Sequence, residues 1–163
     1  MFLSIRGALA LIATCLSLAP AGVVAQGTEK VIDRFETGNG TYVRSLRHDK
    51  AGNSLWVGTS VGVMEIDLKT TAPRRTFTRN DGLANEYVFA VGIDTQGYTW
   101  FGTNAGGASR YKDGKWKTYF PMHGLADYWI YSFANDKKGN LWIGTWAGAN
   151  LFNVKTGKFT TYV

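Results

Sequence analysis

One pattern recurs along the chain at nearly constant spacing, and a repeat of that length leaves few folds open. Asp94-Thr-Gln-Gly97-Tyr-Thr-Trp100-Phe-Gly102-Thr103 matches Asp136-Lys-Lys-Gly139-Asn-Leu-Trp142-Ile-Gly144-Thr145 without a gap. An earlier copy, Asp49-Lys-Ala-Gly52-Asn-Ser-Leu-Trp56-Val-Gly58-Thr59, carries one extra residue between its Gly and its Trp. A second landmark keeps the same period: Asp81-Gly82-Leu83 and His123-Gly124-Leu125 each follow a Trp-x-Gly-Thr at a similar interval, with Asn39-Gly40 as a degenerate first instance.

Between the landmarks the chain reads as short strands separated by turn residues, without helical periodicity. In the middle copy the pattern predicts strands over Tyr87–Asp94, Tyr98–Thr103, Gly107–Lys112 and Lys115–Phe120. Asp94-x-x-Gly97 and Asp113-Gly114 are turn sequences, in which Asp caps the bend and Gly accepts positive φ. Four strands in about 42 residues is the size of one β-propeller blade. The expected fold is all-β: three four-stranded antiparallel blades at 41–84, 85–125 and 126–163, after a lead-in strand within 26–40. In a gapless alignment Gly107 is replaced by Val63 and Ala149 at the equivalent place.

The N-terminus points to export. Arg6 supplies a positive n-region, Ala8–Leu18 is apolar and uncharged, and Val23-Val24-Ala25 offers small residues before Gln26. Residues 1–25 are therefore expected to be a secretory signal peptide, placing the mature chain in the periplasm or outside the cell. Ile12–Cys15 offers a lipoprotein-like alternative, disfavoured by the Thr before the Cys. Cleavage after Ala25 removes the single Cys and lowers the formal net charge from +6 to +5. Scattered Lys and Arg read as solubility rather than a phosphate-tracking stripe, so no nucleic-acid partner is expected.

The segment Asp136–Thr145, Asp-x-x-Gly-Asn-Leu-Trp-Ile-Gly-Thr, and the intervening Asp81-Gly82-Leu83 resemble the repeat of two-component regulator propellers. The resemblance extends over the whole mature chain. It implies a periplasmic sensor propeller that binds an extracellular small molecule or glycan. Such a sensor would signal through a membrane histidine kinase or a C-terminal region outside this sequence.

In such a frame the repeated residues are expected to be structural. Trp56, Trp100 and Trp142 are large side chains for packing between blades, and Gly58, Gly102 and Gly144 leave room for a close neighbour. Thr59, Thr103 and Thr145 close the motif. Function is sought where the repetition stops, because blades build a frame and loops at one end build a site. The loop before a blade's first strand and the loop joining its second and third strands open on the same end. They carry Asn85, Glu86 and Tyr87, then Asp127, Tyr128 and Trp129, and on the other loop type Ser60, Asn104 and Trp146. This is an aromatic and amide surface suited to sugar rings or flat apolar ligands.

No catalytic set is expected, nor a metal or other cofactor: His48 and His123 lack metal-ligand spacing, and no phosphate-cradling Gly loop is present. Two alternatives stay open. One is a propeller enzyme like the streptogramin lyases, with His123 as base. The other is a piece that only docks proteins. Three blades also fall short of the roughly four to eight at which propellers close. Further blades or self-association are therefore expected, with Val31–Phe35 as the outer strand of an adjoining blade.

Overall fold

The computed structural model describes residues 37–163; the signal peptide and the Val31–Phe35 strand expected from sequence lie outside them. Twelve strands form three separate four-stranded sheets, each an antiparallel meander. Blade 1 comprises β1 (Val43–Asp49), β2 (Ser54–Thr59), β3 (Gly62–Asp67) and β4 (Pro73–Phe77). Blade 2 comprises β5 (Val88–Ile93), β6 (Thr99–Thr103), β7 (Ala108–Lys112) and β8 (Lys115–Tyr119). Blade 3 comprises β9 (Ile130–Asn135), β10 (Leu141–Thr145), β11 (Gly148–Asn153) and β12 (Lys158–Tyr162). These are three successive blades of a β-propeller, packed face to face.

The turn chemistry explains where the strands end. Asp113 and Gly114 both take positive φ, 50° and 79°, the backbone that a two-residue hairpin between twisted strands requires. Short 3-10 turns at Arg79–Asp81 and Pro121–His123 lead out of blades 1 and 2. In the first, the Asp81 carboxylate accepts from the Thr78 backbone N–H at 2.8 Å. In the second, His123 Nδ1 accepts from the Phe120 N–H at 3.0 Å. The His that breaks the sequence repeat thus performs the same bond as the Asp it replaces.

Register corrects one expectation. Gly107 does have counterparts, and they are Gly62 and Gly148 rather than Val63 and Ala149. The threonine ending the preceding strand donates its hydroxyl to the glycine carbonyl in all three blades: Thr59 to Gly62, Thr103 to Gly107 and Thr145 to Gly148, at 2.8–2.9 Å. Blade 2 merely has one more residue in this turn, which displaces a gapless alignment. All three glycines have positive φ, and a Cβ there would run into the carbonyl oxygens of Phe77, Tyr119 and Tyr162. The repeated Thr therefore holds a turn that only Gly can make.

The core lies between blades. Trp56 of blade 1 packs on Phe101 and Tyr111 of blade 2, with ring centroids 5.5 and 6.1 Å apart. Trp100 of blade 2 packs on Phe152 and Phe133 of blade 3 at 4.9 and 6.2 Å. Trp142 departs from the expected burial: it is 36% exposed, touching Tyr162 of its own sheet, because no described residue lies beyond blade 3 at that point.

Candidate functional site

The two loop types at one end of the blades are tied together by backbone bonds that repeat. Within each blade, the residue just before the first strand offers its carbonyl to the turn between strands two and three. Ser60 N–H donates to Tyr42, Asn104 N–H to Tyr87 and Trp146 N–H to Trp129, at 2.9–3.0 Å. Between blades, the Gly62 N–H donates to the Glu86 carbonyl and the Gly107 N–H to the Tyr128 carbonyl, both at 2.8 Å. The rim is therefore continuous backbone, and side chains at its positions are held in fixed relation.

Sequence-selected residues divide between those that hold the rim and those that face outward. The Asn85 amide oxygen accepts from the Tyr87 N–H, and the Asp127 carboxylate accepts from the Trp129 N–H, each at 2.8 Å. Both are turn-holding side chains of the kind that shape a loop through their own backbone. Glu86 lies within 3.5 Å of the Arg79 N–H and joins the blades through its carbonyl. Tyr128 rests near Phe120, centroids 6.1 Å apart. Asn104 is half-buried beneath the rim. Tyr128, Trp129 and Trp146 are exposed, and Tyr87 is half-buried beside them.

Three further residues join them, and periodicity alone does not show them. Each first strand contains a β-bulge, falling at Arg44 in β1, Phe89 in β5 and Tyr131 in β9. A bulge inserts one residue out of alternation and re-aims its side chain. Here the three bulges aim at the rim. The Arg44 guanidinium sits 5.4 Å over Tyr87 and 5.5 Å over Phe89. Phe89 stacks on Tyr131 at 5.1 Å, Tyr131 reaches Trp146 at 6.4 Å, and Trp146 reaches Trp129 at 6.3 Å. An unbroken aromatic strip thus crosses blades 2 and 3, from the Arg44 cation of blade 1 to a pair of indoles at blade 3. Trp146, 75% exposed, and Trp129 line a cavity of about 410 Å³ together with Asp127.

The opposite end of the blades is polar and structural. Asp94 is buried, and its carboxylate accepts from the Gln96 and Tyr98 N–H groups, from Trp100 Nε1 at 2.9 Å and from Arg110 at 3.1 Å. The expected turn cap thereby also anchors the core tryptophan. Blade 1 differs. Its inserted residue lengthens the turn, Asp49 accepts from Gly52 N–H, and Trp56 Nε1 is buried without a hydrogen bond. Glu65 stands opposite Trp56 where Arg110 stands opposite Trp100, and is held by Arg74 and Arg75 at 3.3 and 2.9 Å. In blade 3 the Asp136 carboxyl is held below its ordinary pKa, chiefly by the Asn140 backbone N–H. Among the described residues, no group of three His, Cys, Asp or Glu side chains is placed to hold a metal ion.

Residues 124–147, spanning the approach to blade 3 and its first two strands, match the family model of the two-component regulator propeller. Residues 124–147 carry one copy of the two-component regulator propeller repeat. Its fold is similar to the extracellular domain of a hybrid two-component system from B. thetaiotaomicron, at 26% identity over 76% of this chain and 17% of that one, with a TM-score of 0.69. A second hybrid system of that organism gives 17% identity over 74% of this chain and 18% of the other, TM-score 0.65. Virginiamycin B lyase from Staphylococcus aureus gives 20% identity over 78% and 43%, TM-score 0.62. The chain spans about a sixth of the length of the sensor domains it resembles. No curated protein matches the sequence at a significant level.

Proposed function

We propose that the chain is the ligand-binding segment of an exported sensor propeller, recognising an extracellular small molecule or glycan on the aromatic strip. Occupancy would pass to a partner such as a membrane histidine kinase. The observation that carries this reading is the strip itself: Tyr87, Phe89, Tyr131, Trp146 and Trp129 in ring-to-ring sequence on a rigid backbone rim. The repeat and the likeness to extracellular sensor domains support it. Sugar rings present axial C–H faces that stack on indole and phenol rings, while their hydroxyl groups need nearby acceptors such as Asp127.

Titration of the purified protein against a panel of oligosaccharides, followed by tryptophan fluorescence, tests it. Saturable binding that weakens at least tenfold in Trp146→Ala and Trp129→Ala is expected. Saturable binding indifferent to both, and to Tyr87→Ala, would remove the strip as the site.

A lyase reading draws on the virginiamycin B lyase likeness, which at 20% identity concerns the fold. His123, the base it would use, spends Nδ1 on the Phe120 backbone. That bond gives the histidine a turn-holding role, and supports binding over turnover.

A further inference from the structure

The two internal blade interfaces are built alike, and so serve as a template for the two outer faces. On one side of each, a glycine within the second strand leaves a notch; on the other, a branched residue of the next blade's first strand fills it. A Cβ on Gly58 would lie 3.0 Å from Val88 Cγ1, and one on Gly102 would lie 2.7 Å from Ile130 Cγ2. Val88 and Ile130 are fully buried as a result. Beside each notch runs the blade-to-blade bond from Gly62 to Glu86 or from Gly107 to Tyr128.

The outer faces carry the two halves of this same interface, separated. Gly144 repeats the notch, and a Cβ on it would meet only Ser132 of its own sheet. Trp142 stands beside it in the position of Trp56 and Trp100, exposed. At the other end Val43 occupies the register position of Val88 and Ile130, each paired with its blade's motif threonine, yet it is 46% exposed. Leu46, in the position of Val91, is exposed as well.

We propose that the open face of blade 3 receives blade 1 of a second copy of this chain, head to tail. Val43 of one copy then seats against Gly144 of the other, and the Gly148 N–H faces the Thr41 carbonyl as Gly107 faces Tyr128. Continuity with two existing interfaces selects this occupant: pairing like faces would set notch against notch and leave both branched residues in water. The described residues of two copies supply six blades, within the roughly four to eight at which propellers close, and using the same unlike junction twice gives a closed two-fold ring.

Sedimentation of the purified protein over a range of concentrations tests the proposal. A dimer is expected. Val43→Arg and Trp142→Glu each place a charge on one outer face, leave the internal interfaces intact, and should weaken self-association at least tenfold. Circular dichroism of each variant checks that the blades remain folded. Mixing the two variants should restore dimer, because each supplies the face the other lacks and one unaltered junction forms. A wild-type monomer at every concentration would overturn the proposal. So would a dimer indifferent to both substitutions, or one lost in a single variant and not recovered on mixing, which would indicate like-face pairing.

Discussion

Blades 2 and 3 carry the same ten-residue motif without a gap, and the structure treats its central residue in opposite ways. Trp100 is fully buried, while Trp142 is about a third exposed. The first strands differ likewise: β5 is buried along most of its length, whereas β9 is exposed at four of six positions. Both strands pair with their own sheet in the same register. What separates them is the neighbour, because blade 2 is covered on both faces and blade 3 on one. A motif of this kind encodes a strand, a turn and a knob; burial comes from the adjoining copy.

The comparison is tested most severely at the tryptophans. Trp100→Ala should cost about 3–5 kcal/mol, the range for removing a large aromatic from a packed core. Trp142→Ala, made with Val43→Arg so that the blade 3 face stays open, should cost less than about 1 kcal/mol beyond that background, as expected where little buried contact is lost. Denaturant unfolding of both variants checks this. Equal losses would mean that blade 3 is covered in a way its exposure does not show.

A smaller difference is expected at the notch glycines. Gly102→Ala pushes a methyl group onto Ile130, 2.7 Å from its Cγ2 and 2.8 Å from its backbone oxygen, so about 1–3 kcal/mol of overpacking should follow. Gly144→Ala meets a single serine hydroxyl, which can rotate away, and should cost distinctly less. Thermal melts of the pair, again with the outer face open, would sharpen the contrast; a larger loss at Gly144 would break it.

The smallest effect concerns the turn between the two blades. His123→Ala should lose about 0.5–1.5 kcal/mol with the Phe120 hydrogen bond, and His123→Asp should recover most of it by restoring the bond that Asp81 makes to Thr78. An Asp variant as unstable as the Ala variant would show that the imidazole contributes by packing against Tyr119, 6.3 Å away, rather than by capping.

Much of the architecture was legible because turns are local. Asp-x-x-Gly, Asp-Gly and the spacing of Trp-x-Gly-Thr specify where strands stop, and the observed strands of blade 2 fall within a residue of those read from the pattern. Alignment failed at Gly107, where a single inserted residue hid a requirement that the positive φ and the Thr hydroxyl bond make plain. For the site, Tyr87, Trp129 and Trp146 could be named from loop position. Arg44, Phe89 and Tyr131 could not, since each occupies a bulge, and a bulge is an exception to the alternation by which strands are read.

The sequence by itself determined the blade: its length, its four strands, its turns and the large aromatic each copy contributes, all set by steric and hydrogen-bond preferences within a few residues. Only the tertiary structure decided which copies of that aromatic are buried, that Asp94 anchors Trp100 while Asp49 leaves Trp56 Nε1 without a partner, and that the bulges of β5 and β9 align into one aromatic strip. Burial and the strip depend on contacts between residues some forty positions apart, which exist only once two blades are packed together, whereas the Asp94–Trp100 bond, six positions apart, is set by the length of the folded turn.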